Sequence, residues 1–494
     1  MPMVAGMTEK QKRIGMFVCL ATIVLAVLDQ NIVSAATVPI VRELDPVHGI
    51  ERMPWLVSAF ALASTAALPL YGKLSDVYGA KRVFLGAVSV FMLGSALCGT
   101  AQDMGQLIAF RAVQGIGGGG LMSVTMVVIA RIKEGEKGAQ AKGGSMGGIF
   151  AGFGMAIGPL IGGLFADAGN WRWIFYINLP LGILIVTAGA IVLRFPRHAT
   201  GHRIDYLGAA LAAAFASGLL LVTEWGGTVY AWGSPQILGL GVAVVGILAL
   251  FLWRQATAAE PILPLGLFRI RAVALGFAIQ GLVGFAMMGA IMYVMTYLQV
   301  ARGITSTSSG AFLIPFALGL AAVGVLTARL GWDVRTFMIS GTAMAAAAMG
   351  LLAFTAVDTS LWVIRGELLL FGAGFGQMLG TLIVAVQQAA PRENLGVATT
   401  GIRFFQTLGG ALGAAAFGSL LFRLYAADVP GTPVAAIIGL EPQARAHAID
   451  AFVSAVDVVF AAGAVVLLIA MFLATRLKTT SPEEAPVEES ALAA

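Results

Sequence analysis

The sequence predicts an all-α polytopic membrane protein of about fourteen transmembrane helices, arranged as six, two and six. Three observations predict it. Hydrophobic residues make up 59% of the 494 positions and charged residues only 11%, against roughly a quarter charged in a soluble domain, and mean hydropathy is +0.89. Apolar runs long enough to cross the ~30 Å hydrocarbon layer recur along the whole chain, separated by charged or turn-rich segments. A weak repeat between an early and a late segment divides the runs into two sets.

The first run, 14–38, is longer than the apolar core of a cleavable signal peptide and passes directly into a full span. The runs that follow are 53–71, 82–101, 104–130, 144–167 and 172–193, completing a first set of six within 1–198. Two spans, 204–223 and 235–253, fall in 199–258. A second set of six within 259–476 comprises 272–298, 308–329, 334–356, 359–386, 397–424 and 451–475. The end of the chain, 477–494, is acidic and poor in apolar residues, as in Ser481-Pro-Glu-Glu-Ala-Pro-Val-Glu-Glu-Ser490, and reads as a disordered tail. Lys and Arg concentrate in the tails and in every second loop, which by the positive-inside rule places both termini in the cytoplasm and the protein in the cytoplasmic membrane.

Several classes are excluded at this stage. Cys19 and Cys98 both lie in apolar runs, so neither a disulfide framework nor a metal site is expected. The histidines, His48, His198, His202 and His447, fall in loops without metal-ligand or nucleophile spacing, and no enzyme, cofactor or nucleic-acid partner is expected.

Asp29 lies about two thirds of the way along the first run. An ionised carboxylate in hydrocarbon costs several kcal/mol or more, so such an acid faces a wet cavity, pairs with a cation or takes up a proton. Arg111 is the matching cation. By helix rise it lies about 10 Å into its span from the outer side and Asp29 about 12 Å, so the two can meet. Burial disfavours the charged form of an acid and a nearby cation favours it, so a proton there can follow the direction in which a cavity opens. A permanently paired structural carboxylate, and an arginine snorkelling to the interface, are the plainer alternatives.

The repeat is anchored on the same residue type. Arg111 is followed seven and nine positions later by Gly118 and Gly120, and Arg365 at the same offsets by Gly372 and Gly374. Each segment then leads to a loop and a Gly-rich span. Such repeats place a substrate site near the midplane, where two halves meet and rock about it. The 63 glycines suit helices that pack closely in lipid, where small residues drive association.

Several motifs carry a family resemblance. Gly72-Lys-Leu-Ser-Asp76-Val-Tyr-Gly79-Ala-Lys81-Arg82 resembles the signature between spans 2 and 3 of the major facilitator superfamily. Arg111-Ala-Val-Gln114-Gly115-Ile-Gly117 resembles its span-4 signature, and Gly154-Met-Ala-Ile-Gly158-Pro159-Leu-Ile-Gly162-Gly163 the span-5 signature of its antiporters. Leu28-Asp29-Gln30-Asn31-Ile32-Val33 and Trp171-Arg172-Trp173-Ile-Phe-Tyr-Ile-Asn178-Leu-Pro180 are similar to segments of the fourteen-span drug:proton antiporter family. The chain departs from the pattern at Val77 and Ala80, where the family usually has basic residues, and in carrying Arg403 and Gln406 in span 13, where drug-family members often have acids.

The resemblance implies a proton-coupled exporter working by alternating access, with a hydrophobic small molecule and protons as its partners in the bilayer, and a monomer. Asp29, Arg111 and Glu367 are the proton-coupling candidates. Gly72, Asp76, Gly79, Lys81 and Arg82 form a gating loop, in which Asp76 caps a helix of the other half. Gly154, Gly158, Pro159, Gly162 and Gly163 form a hinge or seal in which Pro159 kinks the helix. Gln280, Tyr293, Tyr297, Gln377, Arg403 and Gln406 are candidates for the substrate cavity, or equally for interhelical hydrogen bonds. Asp457 in the last span is a weaker acid candidate. Export of a lipid or a dedicated metabolite, and a non-transporting sensor or scaffold, remain the other readings.

Overall fold

The computed structural model describes residues 7–45, 55–132, 158, 161, 162, 164, 165, 170–195, 205–227, 229–304, 308, 311–330, 333–432, 434, 437 and 440–477. Thirteen helices run through them: α1 Glu9–Leu44, α2 Trp55–Tyr78, α3 Ala80–Thr100, α4 Met104–Ile132, α5 Trp173–Val192 with a turn at Ile177, α6 Tyr206–Trp225 and α7 Pro235–Thr257. They continue with α8 Arg271–Val300, α9 Leu313–Leu330, α10 Val334–Leu352, α11 Leu361–Ala389, α12 Leu395–Asp428 and α13 Pro442–Thr475. Twelve are long and apolar enough to cross a membrane, and α9 carries a shorter apolar stretch, Leu313–Val323. The expected span 144–167 lies almost wholly outside the described residues.

Helices overrun the apolar stretches that announce them. α1 starts at Glu9 rather than 14, where Thr8 and Gln11 form a capping box, Gln11 N–H donating to Thr8 Oγ1 at 3.3 Å and Thr8 N–H to Gln11 Oε1 at 2.9 Å. α13 starts at Pro442 rather than 451, with Pro at its first turn, where the missing N–H costs nothing. Hydropathy reads the part of a helix that sits in hydrocarbon; caps decide where the helix begins.

The repeat has a packing counterpart. In α4 the glycines admit neighbours on two sides: Gly118 lies against the Phe60 ring of α2 and Gly120 against Ala87 of α3. In α11, Gly372 lies against Phe316 of α9 and Gly374 against Gly341 and Ala345 of α10. A side chain at any of these positions would push the helices apart, and close backbone approach is how helices gain contact in lipid. Large apolar clusters form on either side. One joins α8 to α13 through residues such as Phe316, Phe371, Phe375, Phe452 and Phe460; another joins α1 to α5 through Phe84, Phe91, Val124 and Ile185. α6 and α7 pack on each other, pinned at one end by Arg254 Nη2 on Asp205 at 3.0 Å, while Asp205 also caps α6 through Gly208 N–H. α6 further touches α2 and α12, Ala216 meeting Leu68 and Phe404.

Candidate functional site: a buried carboxylate and an inter-helix cap

Asp29 and Arg111 meet in the interior. Arg111 Nη1 donates to Asp29 Oδ2 at 3.1 Å, and the two side chains are 0% and 2% exposed. The guanidinium is held from three further directions: its Nε donates to the Leu56 carbonyl at 2.9 Å, Nη1 also donates to Gln114 Oε1 at 2.8 Å, and its carbon lies 4.3 Å from the centre of the Phe60 ring. The other carboxylate oxygen, Asp29 Oδ1, accepts from Gln114 Nε2 and Asn178 Nδ2, both at 2.8 Å. Ser95 Oγ completes the cluster, accepting from both amides and donating to the Phe175 carbonyl at 3.0 Å.

Four helices supply this cluster: α1 the acid, α3 the serine, α4 the arginine and glutamine, α5 the asparagine. Gly94 lets α3 press onto the backbone of Gln114, where a side-chain carbon would collide. Asp29 accepts from three donors, so neutralising it weakens its contacts with Arg111, Gln114 and Asn178 together. A single-site change of protonation is thereby tied to the positions of Arg111, Gln114 and Asn178. Asn178 Oδ1 is buried without a hydrogen-bond partner, an acceptor left open beside the acid. Among the described residues no group of acids, cysteines and histidines could hold a metal.

Sequence reasoning reached the acid and the arginine but treated Gln114 and Asn178 only as motif letters, and passed over Ser95. The available signal was three polar residues deep in apolar runs, where each needs a partner.

At one end of the bundle the loop motif makes a second arrangement. Gly79 has φ +85°, which only glycine adopts freely, and it turns the chain from α2 into α3. Asp76 reaches across to α12: Gly396 N–H donates to its Oδ1 at 2.8 Å and Val397 N–H to its Oδ2 at 3.0 Å. These are among the first amides of α12, which have no partner inside the helix, and the positive end of the helix dipole faces the carboxylate. Gly72 makes the approach possible, since a methyl there would strike Thr400 and Val397. Lys81 donates to the Ala190 carbonyl at 2.7 Å, tying α3 to α5; Lys73 lies 3.4 Å from Glu260; Arg82 is exposed. At the opposite end of the first set Arg172 pairs with Glu43, whose carboxyl its hydrogen bond holds below the usual carboxylate range against the opposing effect of burial.

The remaining candidates are dispersed. Glu367 is 7% exposed and its Oε2 has no hydrogen-bond partner; Asp457 Oδ1 is likewise without one. Tyr293 donates to the Ala414 carbonyl at 3.2 Å and Tyr297 to that of Ala356 at 2.8 Å, while Gln377 accepts from Ser340 at 2.5 Å. Tyr293 and Gln377 serve helix-to-helix contacts, and Tyr297 ties α8 to the connection between α10 and α11. Gln280 is buried with Oε1 unpartnered, and Arg403 donates to Gln406 at 2.8 Å. Gly158 and Gly162 are buried, whereas Gly154, Pro159 and Gly163 lie outside the described residues.

The sequence profile of the Major Facilitator Superfamily matches residues 18–414, and the chain belongs to that superfamily. It is 34% identical over 472 residues to an uncharacterised MFS-type transporter of Mycobacterium tuberculosis, covering 92% of this chain and 68% of the other. It is 35% identical to the multidrug transporter protein MdtP of Bacillus subtilis, covering 80% and 72%, and 31% identical to multidrug resistance protein 3 of the same organism, covering 81% and 77%. The fold resembles that of the proton:xylose symporter XylE, with a TM-score of 0.63 at 14% identity over 94% of this chain and 95% of the other. The chain is thus a multi-pass membrane transporter and not an enzyme, and its relatives include multidrug efflux pumps.

Asp76→Asn should weaken the cap by about 1–2 kcal/mol, a shift of roughly five- to thirtyfold in the balance between states with this end closed and open. Cysteines placed on the facing surfaces of α2 and α12 report it: labelling should quicken in the variant, and an unchanged rate would reduce Asp76 to a surface acid.

Proposed function

We propose that the chain exports amphipathic drugs or similar hydrophobic small molecules across the cytoplasmic membrane in exchange for protons, by alternating access between two six-helix halves joined through two inserted spans. The observation that carries this reading is the Asp29–Arg111 pair, sealed among the amides of Gln114 and Asn178. With the 72–82 end closed by Asp76, the cavity opens to the outside. A proton entering there neutralises Asp29 and frees Arg111, loosening the contacts among α1, α3, α4 and α5 as substrate departs. When the 72–82 end opens instead, the proton leaves to the cytoplasm, the pair re-forms and substrate is taken up. The same ion pair alone would also suit a static brace; the antiporter-like Gly154–Gly163 segment and the multidrug relatives favour exchange.

The topology implied is fourteen spans with both termini and the 72–82 loop in the cytoplasm. With single cysteines at Tyr78 and Gly431, in a background lacking Cys19 and Cys98, an impermeant maleimide should modify Gly431→Cys on intact cells and reach Tyr78→Cys, at an exposed position of the loop, only after permeabilisation. Modification of both from outside would overturn it. Proton exchange itself is tested in proteoliposomes, where an imposed pH gradient should drive uphill accumulation of a cationic, neutral or anionic amphipathic dye.

A further inference from the structure

We infer that the substrate cavity selects organic anions, through Arg403 and Gln406 of α12; this deepens the export reading and rests on it for the site's being a transport site. Arg403 lies eight positions after Leu395, about 12 Å along the helix by its rise, deep within an apolar span. Helix geometry places it between two faces whose neighbours are known. Val397, Thr400 and Phe404 face α2, through Gly72 and Leu68, and Thr399 meets Gln387 of α11 at 3.1 Å. By helix periodicity Arg403 falls in the sector between them, and α12 packs on α2, α4 and α11.

Its charge has no acid. Among the described residues Arg403 pairs with no carboxylate, and its side-chain hydrogen bond is the one to Gln406 Oε1. Asp29, the acid of α1, is held by Arg111. Glu367 and Asp457, the other acids deep in the apolar spans, make no ion pair among the described residues. The expected span 144–167 carries one acid, Asp167, at its last position. A lone guanidinium inside the bilayer is costly and marks a ligand or ion path.

The hydrogen-bond inventory sharpens the class. Arg403 has only donors, so Gln406 turns its oxygen to it, and one of that oxygen's two lone pairs is taken. Most of what remains is donors, the Gln406 amide nitrogen and the rest of the guanidinium, none of them among the buried groups sealed without a partner. A carboxylate or sulfonate presents two or more coplanar acceptors to such a fork and matches its charge. A cationic amphipath meets repulsion from the guanidinium. The flanking surface is apolar and aromatic: Phe404 packs on Leu68 and Ala216, and Phe405 stacks on Phe277 at 5.0 Å, so the rest of the ligand is hydrophobic.

Binding to the full chain in phosphatidylcholine nanodiscs tests this without any proton gradient. The probes are a fluorescent amphipathic carboxylate and its methyl ester, read by anisotropy. Wild type should bind the carboxylate at least about tenfold more tightly than the ester; Arg403→Gln should bring the two together, and Arg403→Lys should keep part of the preference. A wild-type preference for the ester, or an unchanged ratio in Arg403→Gln, overturns the inference, and the wild-type ratio decides the matter even should the variant not fold. Loss of carboxylate binding on exchanging the lipid for phosphatidylglycerol assigns the donors to an anionic lipid headgroup; survival assigns them to a soluble anion. If the ratio behaves as expected but a pH gradient drives no accumulation, the export mechanism fails and the anion site stands. Intact proton-driven export with no charge preference has the converse meaning.

Discussion

Asp29→Asn should abolish uphill accumulation driven by a pH gradient in proteoliposomes, to the level of vesicles without protein, while downhill exchange of the same dye continues. The side chain keeps its shape but offers one acceptor oxygen where the carboxylate offers two. If that oxygen serves Gln114 and Asn178, the amide nitrogen faces Arg111, donor against donor. The variant therefore resembles the protonated acid permanently, with Arg111 released, and it has nothing left to titrate. Uphill transport at the wild-type level would move the proton site elsewhere, with Glu367, buried and incompletely hydrogen-bonded, next to be tested.

Arg111→Met should lower stability by about 3–5 kcal/mol, because removing one member of a buried pair leaves the other charge without its counterion. The guanidinium also supports the Leu56 carbonyl and Gln114 Oε1, both of which lose their donor. Adding Asp29→Asn should recover more than half of the loss, since the stranded charge is then gone. Thermal unfolding in detergent measures all three variants against wild type. Losses that simply add would mean that the two residues act independently, contrary to the 3.1 Å contact.

The sequence carried the site unevenly, for physical reasons. Asp29 and Arg111 were legible because a charge in an apolar run is rare and costly, and helix rise alone put them at similar depth. Asp76 was expected to cap a helix of the other half, but no side-chain pattern announces which helix presents its amides, those of Gly396 and Val397. Which way Tyr293, Tyr297 and Gln377 point depends on the rotation of α8 and α11 about their axes, and their weak hydrophobic asymmetry does not set it; packing of glycines such as Gly284 and Gly374 onto α12 and α10 does. Arg403 stood out in sequence as a departure from the acids expected there, and the structure shows that among the described residues its side-chain hydrogen bond goes to Gln406.

Proton occupancy of Asp29 can be watched directly by infrared difference spectroscopy of the purified protein in lipid, titrated through pH and followed at the carbonyl stretch of a protonated carboxylic acid. Exchange at this residue predicts a band that grows as pH falls, disappears in Asp29→Asn and persists in Glu367→Gln and Asp457→Asn. A titrating band that survives intact in Asp29→Asn would contradict it and leave the Asp29–Arg111 pair as a fixed brace.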